Sequence, residues 1–332
     1  MVKLRTIGTA AFITCAATAY GNGLPEAVLV NTQQIDLKGV SGVKITYNSD
    51  SVKLFRGTDL LVLKEYMSID DSDYYAHVSY ATAADAEKQL VIESGERPVV
   101  LNGDFQSRIE VYIPASFTGT VAVKTASGSI RSDDALSFSA IMLESSSGSI
   151  TANDIKLDTT AIVKATSGSI RVKKIAAEKI QFSTASGSIH CGAADGNIAI
   201  TTMSGNVDFE RVNGNVAAES TSGTIDLKMV TGALKAHTMS GSIRCAVAES
   251  AGDIALSAIS GSVTLGVPKN LGFRFSAKMM HGNLSTPFSD WLYASVSDRH
   301  SITGIIGAAG AEVVLISIDI RTTSGSIRVG WI

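Results

Sequence analysis

Few residues in this 332-residue chain stand at spacings that could do chemistry. The five histidines, His77, His190, His237, His281 and His300, are scattered, and no two of them have metal-ligand spacing, so each reads as a surface or structural residue. Asp70, Asp71 and Asp73 cluster beside Tyr74 and Tyr75. Such a cluster either binds calcium or forms a solvated acidic loop, and the loop is the reading adopted, as it is for Asp133-Asp134. The chain carries no P-loop, dinucleotide fingerprint, CxxC or HExxH. Serines abound, but one precedes glycine again and again with no histidine recurring beside it, so they mark a repeat and not a nucleophile. The sequence therefore offers no catalytic residue, no metal ligand and no cofactor.

The three cysteines are Cys15, Cys191 and Cys245. Cys15 lies in an N-terminal segment with the marks of an export signal. Lys3 and Arg5 start it, Ile7 to Ala19 is mostly apolar or small, and Ala17-Thr18-Ala19 supplies small residues before Tyr20. Residues 1–19 read as a signal peptide and 20–32 as a linker. Phe12-Ile13-Thr14 ahead of Cys15 departs from the small residues that precede a lipidated cysteine. Without 1–19 the chain has 26 basic and 31 acidic side chains, a net charge of −5. That balance argues against a nucleic-acid partner. No apolar run reaches the length of a membrane span. Apolar residues at 45% and charged ones at 18% exclude general disorder.

The elements come from a repeat. From residue 125 the pattern T/S/A-x-S-G-S/N/T-I/V recurs, with glycines Gly128, Gly148, Gly168, Gly187, Gly205, Gly223, Gly241 and Gly261, and a last copy at Gly325. The first eight are spaced 20, 20, 19, 18, 18, 18 and 20 residues apart. A degenerate copy, His281-Gly282-Asn283-Leu284, follows. Between them lie Gly196, Gly214, Gly232 and Gly252, each followed two places on by an aliphatic: Ile198, Val216, Leu234 and Ile254. Each unit thus has two extended segments and two corners. Five places before the main glycine sit Val123, Leu143, Val163, Phe182, Ile200, Ala218, Ala236 and Leu256; two after it is always Ile or Val. This alternation of period two defines one inward face per strand.

No half-repeat can bury its apolar face alone, but stacked coils can. The expectation is an all-β, single-stranded parallel β-helix of 18–20 residues per coil over 121–332, about 50 Å long at about 4.8 Å per layer. Glycine is expected at the corners for positive φ, and the serine before it is expected to point inward. Residues 33–120 read as an irregular β cap, with strands at Val43–Tyr47, Val52–Phe55, Leu60–Tyr66, Tyr75–Tyr80, Leu90–Glu93 and Ser107–Ile113, and a helical turn or two in 83–88. Residues 285–301 read as a long loop and the tail as a last or capping coil. Cys191 and Cys245 share a register position three coils apart, too far for a disulfide, and read as buried apolar residues. The position three after the glycine, Arg131, Thr151, Arg171, His190, Asp208, Asp226, Arg244 and Thr264, mixes charge and reads as a solvated face.

The tandem S-G-S-I and S-G-N-V units, the export-like N-terminus and the lead-in from Tyr112-Ile113-Pro114 to Thr125–Ile130 together resemble one family of bacterial cell-envelope proteins. Its members are described as "putative adhesins" and carry a domain of unknown function built on SG[SDN]I repeats. The resemblance covers about residues 35–332. It implies a β-solenoid at the cell surface, no enzymatic activity and a role in adhesion, and it supplies no binding residues. The function expected is binding of a glycan or protein by an exported, surface or envelope solenoid. The alternatives are an envelope-stress or scaffolding protein that associates with itself, and a carbohydrate-active β-helix enzyme, which would need a carboxylate cluster in a groove.

Overall fold

The computed structural model describes residues 26–82, 87–97, 105–290, 293–297, 300–306 and 315–332. Residues 1–19, Cys15 with them, lie outside the described residues, as do 83–86 of the expected helical turn.

The repeat folds as a parallel β-solenoid. On the face that follows each corner, Ile130, Ile150, Ile170, Ile189, Val207, Ile225, Ile243 and Val263 pair in turn, each with its counterpart one coil on. On the face that precedes the next corner, Leu143, Val163, Phe182, Ile200, Ala218, Ala236 and Leu256 form a second ladder. Every one of these side chains is buried. The two ladders close on each other to make the core, and each large aliphatic contributes about 1.5–3 kcal/mol by leaving water. Cys191 and Cys245 sit in one inward ladder with Val172, Phe209, Leu227 and Leu265, and both are free thiols.

The coil narrows at its second corner. Lys156 and Thr160 align with Ala176 and Lys179, and these with Asp195 and Asn197, so the corner loses one residue per layer. Leu157 and Ala177 fill the inside of the wider corners. Gly196 and Gly214, at φ 134° and 135°, make the narrow ones.

The main corners differ from expectation in two ways. Positive φ holds at Gly223, Gly241, Gly261 and Gly325 only. At the earlier corners space excludes a side chain: a Cβ at Gly168 would stand 2.0 Å from the carbonyl oxygen of Gly148, and stacked corners repeat that contact. The serine before the glycine is also exposed, not inward, at Ser127, Ser147, Ser167, Ser186, Ser204, Ser222, Ser240 and Ser260. The alternation runs from the position five before the glycine to the one three before it, so the inward polar residues are Thr125, Ser145, Thr184, Thr202, Ser220 and Thr238.

Those hydroxyls reveal a change of corner. The Gly128, Gly187 and Gly205 amides donate to the Oγ1 atoms of Thr125, Thr184 and Thr202 at 3.1, 3.0 and 3.0 Å. From Gly223 onward the turned glycine sends its N–H to the next layer: Gly223 to Ser240 O at 3.2 Å, Gly241 to Ser260 O at 3.0 Å and Gly261 to Ser324 O at 2.8 Å. The Ser220 and Thr238 hydroxyls are thereby left buried without a partner.

At the N-terminal end, Gly42–Tyr47 and Ser51–Gly57 form the layer beneath Thr120–Thr125 and Ile130–Ser132. Lys88–Glu93 and Ser107–Pro114 add a further parallel layer. Antiparallel strands then cover both faces: His77–Thr82 on one, Leu61–Met67 and Val28–Ile35 on the other. Val28–Ile35 falls largely in the expected linker; its run Asn31-Thr32-Gln33-Gln34 hides a strand that lies on the edge.

The C-terminal end departs further. The strand Ile316–Trp331 is not the last layer. Ile318 pairs with Ile254 on one side and Phe275 on the other, and Ile327 lies between Val263 and Leu284. The strand Phe273–Ser285 is therefore outside it, with Gly282 stacked on Gly325. The expected loop at 285–301 contains a 3-10 turn, Pro287–Asp290, and a strand, Tyr293–Ser297, which pairs with Ser301–Ile306 as an antiparallel flap on Phe273–Lys278. Phe273, Phe275, Phe288 and Trp331 plug the core here, with the Phe288 and Trp331 rings 4.7 Å apart.

Candidate functional site

The residues singled out for chemistry are held in structural roles. Asp71 caps the 3-10 turn Ser72–Tyr74 by accepting from the Asp73 amide at 3.1 Å, and Asp70 accepts from the Tyr75 hydroxyl. Arg131 binds Asp133, and Asp134 accepts from the Arg56 amide. The mixed ladder is stacked as expected, with Asp208 held by His190 at 3.1 Å and Lys228 at 3.3 Å. His237 Nδ1 lies 2.7 Å from Ser257 Oγ. His77 lies on an edge strand and His281 beside the Gly282 corner, both exposed. His300 stands just before Ser301–Ile306. Among the described residues no three His, Cys, Asp or Glu side chains gather as cation ligands.

Burial acts on the titratable groups that remain. It pushes the Cys191 thiol up to about 12 and the Cys245 thiol higher still. In the N-terminal cap, Glu65 is fully buried, and desolvation raises its carboxyl above the usual range. Asn31 Nδ2 at 2.8 Å, the Ala76 amide at 3.0 Å and the Tyr47 hydroxyl at 3.2 Å donate to it and limit that rise. Nearby, Arg97 grips the buried Asp50 through Nε at 3.2 Å and Nη2 at 3.1 Å. These groups tie the cap together.

The concavity with a built floor is on the outer surface of the face that precedes the main corners. It has a volume of about 730 Å³, in the range of ligand sites. Its floor is one outward register row, Gln181, Ala199, Ala217, Lys235, Ala255 and Asp319, stacked in successive layers. The alanines make the depth: a strand must present a side chain outward at every second residue, and a methyl is the smallest one available there. One wall is the narrowed second corner. There Asn215 Nδ2 donates to Asn197 Oδ1 at 3.0 Å, and Asn215 Oδ1 accepts from the Ala233 amide at 2.9 Å. Asp253 Oδ1 accepts from the Ser317 amide at 2.8 Å. Lys179 and Lys235 add positive charge, Asp253 and Asp319 negative charge. Asp319 is already paired with Arg321 at 2.6 Å.

The result is an open trough running along the stack across layers, with the Ala199, Ala217 and Ala255 methyls and the Lys235 side chain on its floor and amides and mixed charge along its edge. Sequence reasoning missed it. Its signal was the run of alanines two places after the wall residues, visible only once the units are aligned.

These features define a parallel β-solenoid with a shallow lateral trough. The chain belongs to the Toastrack family, DUF4097, whose model matches residues 81–229 and again residues 161–330. The matches overlap because a periodic stack accepts one template in two registers. No curated protein matches the sequence. Solved structures similar to it include three bacterial proteins. A "putative adhesin" of Parabacteroides merdae is 15% identical over 74% of this chain and 94% of that one, with a TM-score of 0.39. A "putative adhesin" of Bacteroides fragilis is 12% identical over 93% and 99%, at 0.35. A "putative cell adhesion protein" of Clostridium sporogenes is 10% identical over 91% and 98%, at 0.27. Overlaps this low transfer no role. Among the described residues no helix is long and apolar enough to cross a membrane.

Proposed function

We propose that this chain is an exported envelope protein that adheres, without catalysis, to a linear polymer lying along the trough. The observation that carries this reading is the alanine floor at Ala199, Ala217 and Ala255, which opens about 730 Å³ in line with the stack. Layers repeat every about 4.8 Å, so an extended chain meets Asn197 with Ala199 and Asn215 with Ala217 in two successive layers, then Lys235, and then Asp253 with Ala255. A glycan fits this chemistry better than a charged polymer. Asn197, Asn215, Lys235 and Asp253 offer donors and acceptors to hydroxyls, and the mixed charge favours neither sign. The trough's carboxylates, Asp253 and Asp319, are engaged by the Ser317 amide and by Arg321. That engagement supports holding a ligand over cleaving one.

The test is a glycan and envelope-extract binding screen on residues 20–332, beside an Ala217→Trp variant that fills the trough from its solvent side. Binding by the parent and its loss in the variant, with circular dichroism unchanged, is the expected result. A parent that binds no glycan, or a variant that binds as well as the parent, refutes the reading.

A further inference from the structure

Beside the trough, on the same face, six consecutive layers expose two register rows. In stack order the outer row is Met203, Thr221, Met239, Ile259, Thr323 and Met280, and the inner row is Thr201, Glu219, His237, Ser257, Arg321 and Lys278. Met203, Met239, Ile259 and Met280 are 59, 51, 46 and 63% exposed. These four exposed apolar side chains, two of them (Ile259 and Met280) lining a concavity of about 300 Å³, have no role in the solenoid's own core. They form the kind of surface that another protein covers. The order of residues in the two rows says which one.

We propose that this face pairs with the same face of a second copy of the chain, in a two-fold dimer whose axis runs parallel to the strands between the Met239 and Ile259 layers. Such an axis keeps each row over itself and reverses the order of layers. Met203 then meets Met280 of the second copy, Met239 meets Ile259, and Thr221 meets Thr323. On the inner row Glu219 meets Arg321, and symmetry makes that pair twice. Glu219 has no cation partner among the ion pairs of the described residues, and the Arg321 side chain is 67% exposed. No like charges oppose each other on the two rows. The other face-to-face arrangement, with its axis along the stack through the inner row, sets Glu219 on Glu219 and Arg321 on Arg321, so charge selects the first.

Six layers and two rows, with their margins, cover roughly 25 by 15 Å at the spacings of a sheet. That is smaller than the about 800 Å² per partner of a standard stable interface, so the dimer is a weak one that forms only at raised concentration. The two troughs run along its margin and face each other. The inference does not rest on the trough taking a polymer.

The test is sedimentation velocity of residues 20–332 over micromolar to hundreds of micromolar concentrations. The parent is expected to shift from monomer to dimer. Glu219→Arg and Arg321→Glu are each expected to weaken association by about tenfold or more. The double variant, Glu219→Arg with Arg321→Glu, restores it. Arg321→Glu also breaks the pair with Asp319, but the double variant shares that loss, so recovery can come only from the contact between copies. A parent that stays monomeric throughout, single variants that dimerise like the parent, or a double variant no better than the singles would each overturn the proposal. None of these outcomes bears on glycan binding by the monomer.

Discussion

Thr202 and Thr238 occupy the same inward position two coils apart, and replacing each with valine is expected to have opposite effects. Thr202 Oγ1 accepts the Gly205 N–H at 3.0 Å, and Thr202 is 2% exposed. Valine keeps the branched shape but strands that amide in the core, which costs about 1–3 kcal/mol. Thr238 is fully buried, but the Gly241 amide has turned to Ser260 O, and the Thr238 hydroxyl has no partner. Valine there removes an unpaired polar group, a gain of about 1–3 kcal/mol. The two variants should therefore differ by about 2–6 kcal/mol. Urea midpoints measure this, and hydrogen exchange at the Gly205 amide localises it, because a solenoid responds to substitution mainly through neighbouring coils. Equal shifts in the two variants, or a larger loss at Thr238, would refute the change of corner between Gly205 and Gly223.

Four further outcomes follow from the same geometry. Gly168→Ala should cost several kcal/mol, because its Cβ would stand 2.0 Å from a backbone oxygen that cannot move without shifting a layer. Gly330→Ala, with nothing within 4 Å, should leave the melting temperature within a degree or two. Because the folded carboxyl of Glu65 has a raised pKa, its contribution to stability is full below the ordinary carboxylate value and is lost as pH rises through the raised one. The parent should thus gain stability relative to Glu65→Gln between neutral pH and about pH 4, and parallel urea-midpoint profiles would contradict this. Cys191 and Cys245 should resist a thiol reagent at mildly alkaline pH in the folded protein and react once urea is added; rapid labelling without urea would show that the ladder opens.

The coils were legible because burial acts on every unit alike. Ile at two places after the glycine and an apolar residue five before it are the minimum that a narrow core demands, and repetition makes that demand visible. The orientation of the corner serine was not legible. Ser127 and its equivalents recur as faithfully as the buried positions, yet they face water, so recurrence alone cannot tell inside from outside. The reason for glycine was only half readable, since crowding by the layer below depends on stacking and not on the local chain. Val28–Ile35 and Tyr293–Ser297 escaped notice because each pairs with a single neighbouring strand at an edge, where no alternating apolar sequence is demanded. The trough was hidden for a related reason: outward alanines look like any small residue until neighbouring coils set them side by side.

The placement of Ile316–Trp331 between two layers that precede it in sequence bears on how the molecule is made. A simple coil can lengthen turn by turn as chain becomes available. Here the slot next to Ile254–Ser260 must stay vacant while Phe273–Ile306 is already present, or that flap must swing aside to admit the later segment. Growth from one end therefore cannot finish this tip. It closes like a clasp, in a single late step that joins distant stretches of chain, and until then the sheet edges on both sides of the gap remain sticky.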